Sequence, residues 1–271
     1  MKSMAYLLLV FIAAYIGIVS YLYVWQRQLI YHPDTAIESP DHYVRGFTEY
    51  FVKTPDDVSI QLWYHPATQG FPTIIYYHGN AAHMGLRAGM YGSLMEKGFG
   101  VLGVEYRGFG KSSGSPTEQG LYIDARTAMA FLTDTQHIPL KRIIIFGESL
   151  GTGVAVQMAT EYDAGALVLQ SAYTSVSARA AEIYYYIPVR MLIHDKFDTI
   201  DKIARVKAPL LLYHGELDNV IPIRMGKAVF AAATSPKESI YFPDRAHNNF
   251  DTRVISEHVL DFATRHHLID N

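Results

Sequence analysis

The sequence predicts an α/β chain, with a mostly parallel central sheet and helices on both of its faces. Short runs of apolar, β-branched and aromatic residues recur along the chain. Segments of helical length stand between most of them, and strands alternating with helices argue for a parallel sheet covered on both sides. A third observation sets the start of the chain apart, because residues 4–25 carry no charge at all.

That first stretch reads MAYLLLVFIAAYIGIVSYLYVW. As a helix it is about 33 Å long, matching a bilayer core of about 30 Å. Tyr21, Tyr23 and Trp25 crowd its far end, where an interfacial aromatic belt sits. A cleaved signal peptide has a shorter apolar core and a small-residue cleavage site after it, whereas Gln26-Arg27-Gln28 follows here. An uncleaved single-pass transmembrane anchor over 4–25 is therefore expected. Lys2 and the α-amine precede it and Arg27 follows closely. The positive-inside rule then favours a cytoplasmic N-terminus by about one charge, with the bulk of the chain on the exterior, periplasmic or lumenal side.

Residues 26–45, with Pro33 and Pro40, are expected to be a polar linker, and 46–271 the globular domain. Strands are predicted at 47–53 and 58–64, around the turn signal Pro55-Asp56-Asp57, and then at 72–77, 100–106, 142–146, 166–169, 209–213 and 239–242. Helices are predicted at 84–97, 118–134, 149–161, 223–234 and 255–267. The stretch 172–207 falls where a small cap insertion can cover a site. It contains Tyr184-Tyr185-Tyr186 and Met191-Leu192-Ile193, which suit either a helix closing the core or an apolar roof for an acyl chain or an aromatic group.

Composition excludes several function classes. Lys and Arg total 23 against 26 Asp and Glu, a net charge of −3, so no basic face for nucleic acid is expected. Cysteine is absent, which removes disulfide scaffolds, thiolate metal sites and a cysteine nucleophile. No H-E-x-x-H spacing occurs, and no metal or other cofactor is expected. Gly108-Phe109-Gly110-Lys111-Ser112 looks like part of a phosphate-binding loop, but Glu105 stands where such a loop needs its first glycine.

In open α/β sheets ligands bind beyond the carboxyl ends of the strands, so the loops there are the place to look for chemistry. After the run Ile143–Phe146 comes Gly147-Glu148-Ser149-Leu150-Gly151, then a helical segment. This is G-x-S-x-G at a strand-to-helix junction, the nucleophile-elbow pattern. The turn is so tight that side chains at Gly147 or Gly151 would collide with backbone, and it lifts the Ser149 hydroxyl above the sheet. Serine needs a base, and the base needs an acid to orient it. Asp218 follows the run 210–213 and His247 follows the run 239–242. The order Ser149, Asp218, His247 is that of the α/β-hydrolase triad. Glu216 is the rival acid, while Asp244 and Asp251 are expected at the surface or at the start of the last helix. Backbone N–H groups of Leu150 and of Asn80, in the loop His78-Gly79-Asn80, are the expected oxyanion donors. The alternative for Asn80 is an N-cap in an ordinary turn.

The segments HGNAA, YRGFGKSSGSPTEQGLYIDA, GESLGTG, HGELDNVIP and AHNN resemble the membrane-anchored α/β-hydrolase-domain serine hydrolases, a group with depalmitoylase-like and lysophospholipase-like members. The resemblance covers 46–271 and the single N-terminal anchor. It implies the α/β-hydrolase fold, the triad Ser149, Asp218 and His247, and Asn80 and Leu150 as oxyanion donors. Two positions depart from the pattern. His83 stands where relatives often carry an amide or a small residue, which is expected to alter the pocket rim. Asn248-Asn249 follows His247, where an acidic residue is frequent nearby. The expected activity is hydrolysis of esters or thioesters of small or lipid-like acyl substrates, with the membrane as partner through the N-terminal helix. A serine peptidase or amidase, or a non-catalytic binding module on the same fold, are the alternatives.

Overall fold

The computed structural model describes residues 2–270. Eight strands form one sheet: β1 (Thr48–Lys53), β2 (Ser59–His65), β3 (Thr73–Tyr77), β4 (Gly100–Val104), β5 (Ile143–Glu148), β6 (Ala166–Gln170), β7 (Leu210–Gly215) and β8 (Lys237–Phe242). Their spatial order is β8-β7-β6-β5-β3-β4-β2-β1. β3 to β8 are parallel, and only the β1–β2 and β2–β4 pairings are antiparallel. This is the predicted fold class.

The parallel strands read as unbroken apolar runs because both faces of the sheet are covered, and every residue of β3 to β7 is buried. Alternate side chains point to opposite faces. Ile75, Leu102, Ile145, Leu167 and Leu212 enter one apolar layer, packed against Leu121 and Ala125 of α3 (Glu118–Ala130) and Val154 of α4 (Gly151–Glu161). Ile74, Val101, Ile144, Val168 and Leu211 enter the other, beneath α2 (Ala88–Glu96) and α7 (Thr252–Arg265). Between β6 and β7, in the stretch 172–207 expected to be a cap, lie α5 (Val176–Ile183) and a turn of helix at Val189–Leu192; α6 (Ile223–Ala232) precedes β8.

Two predicted helices differ in their details. The 84–97 segment opens as a 3₁₀ turn, Met84–Arg87, in which the His83 side chain caps the Gly85 N–H. The 118–134 segment is α-helical to Ala130 and then widens into a π turn, Phe131–Thr135.

The larger difference lies at the N-terminus. Helix α1 runs from Lys2 to Ile30, beyond the predicted end of the anchor. The stretch 26–45, expected to be a linker, is folded onto the domain. Gln26, Tyr31 and Ile37 are buried, and Tyr31 belongs to the main apolar layer. His32–Pro33 pairs in parallel with Ala81–Ala82, and a short helix forms at Pro40–Tyr43. Isolated apolar residues in a polar stretch carry no periodicity, so the docking leaves no pattern to read.

Replacing Ile145, fully buried at the centre of the sheet, by alanine is expected to lower unfolding free energy by about 2–5 kcal/mol. The readout is a lower denaturant midpoint at unchanged slope.

Candidate active site

The sheet register brings the site together. Tyr77 aligns with Gly147, Glu148 with Gln170, and Gln170 with Tyr213, so the carboxyl ends of β3, β5, β6 and β7 lie side by side. Ser149 follows β5 directly and adopts φ +51°, in the left-handed region. For a non-glycine residue that conformation costs about 1–3 kcal/mol and persists only where its surroundings enforce it. They do so here. A Cβ on Gly151 would collide with the Tyr77 carbonyl, and one on Gly147 would come within 2.6 Å of the Gly151 carbonyl oxygen. The Ser149 N–H donates to the Gln170 carbonyl at 2.9 Å, and the Tyr173 hydroxyl donates to the Leu150 carbonyl at 2.9 Å.

Ser149, Asp218 and His247 meet although they lie on three separate loops. His247 Nε2 is 2.9 Å from Ser149 Oγ, and His247 Nδ1 is 2.7 Å from Asp218 Oδ2. All three residues are buried. Asp218 Oδ1 accepts the backbone N–H groups of Val220 and Ile221 at 2.9 and 2.8 Å. A second imidazole, His214 Nε2, stands 3.2 Å from Asp218 Oδ2 and is fully buried. Burial works to raise the Asp218 pKa, but the hydrogen bonds from His214 and His247 outweigh it and hold the carboxyl well below its ordinary range. Glu216 is exposed and its N–H is tied to the Phe242 carbonyl. Asp244 is an exposed partner of Arg245. Asp251 caps α7 by accepting the Arg253 N–H. None of the three hydrogen-bonds or ion-pairs with His247 among the described residues.

The loop after β3 adjoins the elbow: a Cβ on Gly79 would lie 3.3 Å from Ser149 Cβ. The Asn80 and Leu150 backbone N–H groups donate to no acceptor among the described residues, and both residues line the cavity above Ser149. Asn80 does not act as an N-cap. Its side-chain amide donates to the Ile30 carbonyl at 2.7 Å, and its own carbonyl accepts the His32 N–H at 2.9 Å. The end of α1 thus holds this loop in place.

Sequence reasoning missed four parts of the site. His214 precedes Asp218 by four residues, and that spacing across a strand end was the only signal. Glu148, the variable residue of the elbow, receives Arg87 on both carboxylate oxygens at 2.8 and 3.1 Å and the Tyr76 hydroxyl at 2.8 Å. Burial pushes the Glu148 pKa up, and the Arg87 charge together with the hydrogen bonds from Arg87 and Tyr76 outweighs it, leaving the carboxyl below its ordinary range. Arg179 of the cap donates to the Val220 and Asn219 carbonyls at 2.7 and 3.2 Å, tying the roof to the Asp218 loop. Residues of α1 line the cavity, which periodicity within a uniformly apolar run cannot reveal. His83, expected at the pocket rim, is buried against Tyr43 instead and is not among the lining residues.

The cavity encloses about 350 Å³, with Ser149 and Leu150 at its floor. Val19, Leu22 and Tyr23 of α1 form one wall, and Ile183, Ile187 and Leu192 of the cap form another. Arg179 is its only charged lining residue among those described. Chemically, the arrangement offers a serine hydroxyl bonded to an imidazole, free N–H donors beside it, and an apolar chamber.

A family model described as "Serine aminopeptidase, S33" matches residues 70–200, which hold Ser149 but neither Asp218 nor His247. An uncharacterized protein of Mycobacterium tuberculosis (strain CDC 1551 / Oshkosh) is 35% identical over 254 residues, covering 92% of this chain and 90% of the relative. The human alpha/beta hydrolase domain-containing protein 17B is 32% identical over 180 residues, covering 66% of this chain and 61% of the relative. Among solved structures, the Pyrococcus furiosus esterase Pf2001 superposes with a TM-score of 0.70 at 19% identity, covering 87% of this chain and 97% of that one, a likeness of fold.

The depressed Asp218 carboxyl makes stability pH-dependent. Its native pKa lies below the unfolded value of about 3.9, so it stabilises the fold above that value and the contribution fades as pH falls through the native pKa. The difference in melting temperature between the wild type and Asp218→Asn is expected to be widest above about pH 5 and to narrow toward pH 3. Thermal melts across that range check it, and a gap widening on acidification would contradict it.

Proposed function

We propose that this chain, which has the α/β-hydrolase fold, is a serine hydrolase cleaving carboxylic esters or thioesters of lipophilic acyl groups. The hydrogen-bonded run Ser149–His247–Asp218, at 2.9 and 2.7 Å, with Ser149 lining an apolar cavity, carries this reading.

In the proposed mechanism Ser149 Oγ attacks the acyl carbonyl while His247 Nε2 takes its proton. Asp218 accepts the Nδ1–H, keeps the ring oriented and stabilises the imidazolium. The oxygen that becomes negative meets the Leu150 and Asn80 N–H groups and the positive end of α4. Collapse of the tetrahedral intermediate expels the alcohol or thiol, which takes its proton from His247. A water activated by the same ring then releases the acid from Ser149. One oxyanion site serves esters and thioesters alike, so the acyl half of the substrate is the half this chamber selects.

The matched family model, by its description, favours an aminopeptidase as the second reading. An aminopeptidase has to hold the α-ammonium group of its substrate, and a carboxylate is the natural partner. The lining residues described here include Arg179 and no Asp or Glu, which supports an uncharged acyl group instead.

We also read residues 4–25 as an uncleaved membrane span with the N-terminus cytoplasmic. The helix is 29 residues long and apolar enough to cross a bilayer. Its last two turns are bonded into the domain through Gln26, Arg27 and Ile30, so excision at the end of the apolar run would strip one wall from the cavity.

Ser149→Ala is expected to lower turnover of a p-nitrophenyl acyl ester by about 10⁴-fold or more, and retained burst hydrolysis by the pure variant would refute the mechanism. His247→Ala is expected to abolish labelling of Ser149 by a fluorophosphonate probe. Undiminished labelling would remove His247 as the base, and a wild type that never labels would favour a binding module.

A further inference from the structure

Helix α1 meets the cap along a seam that starts well inside the apolar run. The Tyr15 hydroxyl donates to the Tyr186 carbonyl at 2.9 Å. The Tyr23 hydroxyl lies 3.0 Å from His194 Nε2, with the two rings edge to face at 4.9 Å. Gln26 accepts the His194 N–H at 2.7 Å, and Arg27 pairs with Asp195 at 3.1 Å. Val19, Leu22, Gln26 and Ile30, the less exposed residues of α1, lie at helical spacing on the face turned to the domain.

Tyr15 precedes Trp25 by ten positions, about 15 Å along a helix, which is half the thickness of a bilayer core of about 30 Å. With 4–25 spanning the membrane, the cap tip beside Tyr15 lies within the adjoining leaflet. Its surface suits that depth: Ile183, Tyr185, Tyr186 and Met191 are exposed by 51%, 84%, 51% and 85%. Apolar side chains this exposed are unfavourable in water and at ease among acyl chains, along which the exposed Arg190 beside Met191 can lay its stem. The cavity over Ser149 lies between this tip and α1.

We propose that the substrate is a bilayer-resident acyl ester or thioester, whose acyl chain passes sideways from the leaflet between α1 and the cap. Helix α1 is then a wall of the acyl-binding site as well as an anchor. The chain never enters water, a transfer whose cost grows with each methylene. This inference rests on Ser149 as the nucleophile and on residues 4–25 as the span.

The test uses the full-length protein in phosphatidylcholine vesicles with a hexadecyl fluorophosphonate carrying a mid-chain diazirine. Ser149 Oγ forms the bond to phosphorus, fluoride leaves, and the hydroxyl proton passes to His247. After irradiation, adducts anchored at Ser149 are expected to cross-link within 19–30 and 183–193. Phosphonylated Ser149 with cross-links only outside both segments, or to lipid alone, overturns the proposal while leaving the nucleophile intact. An unmodified Ser149 instead overturns the catalytic reading beneath it. The chain has no cysteine, so a dye on Met191→Cys reports one position. Lipids with a spin label in the acyl chain are expected to quench it, and quenching by aqueous iodide equal to that of a dye on the exposed Lys53→Cys would overturn the immersion of the cap.

Discussion

The close approach of Gly151 to the Tyr77 carbonyl is the constraint on which the carboxyl edge of the sheet depends. It lets α4 start immediately behind the elbow, forces Ser149 to φ +51° and leaves its hydroxyl facing the cavity. The strain is local, but what holds it is not. Gln170 on β6 fixes the Ser149 N–H, and Tyr173 just beyond that strand fixes the Leu150 carbonyl. The fully buried strands on either side supply the rigidity that keeps a left-handed serine in place.

Charge is used sparingly and in pairs. Arg87 and Glu148 are bidentate partners between the helical layer and the elbow, and Arg87 also reaches the Ala81 carbonyl at 3.3 Å. One guanidinium therefore spans the loop that carries Asn80 and the turn that carries Ser149. Asp218 is similarly over-determined, with two backbone donors on one oxygen and two imidazoles near the other. Glu148 and Asp218 keep their charge because several donors converge on each, not because of a single strong bond.

Much of this was legible in the chain itself. Strand and helix order follow from apolar runs and their spacing, since a sheet covered on both faces leaves continuous hydrophobic stretches in the sequence. Ser149, Asp218 and His247 are legible as candidates because each follows its own strand. The Arg87–Glu148 pair and the His214–Asp218 contact are not, because they depend on which side chains the register and the loop ends aim at one another. The placement of α1 was hidden for a different reason. A segment apolar on every side gives no moment to say which face will be covered, and Gln26, which settles it, is one amide in a stretch that reads as linker.

Gln26 accepts the His194 N–H from 168 positions away, and the Arg27–Asp195 pair closes the same loop. These are among the least local contacts in the chain, and closing so long a loop forfeits entropy that only the finished partner surface can repay. Helix α1 is therefore among the last elements to find its seat. Until residues 176–195 have folded, the chamber over Ser149 has no second wall. Assembly order itself delays the closing of that chamber.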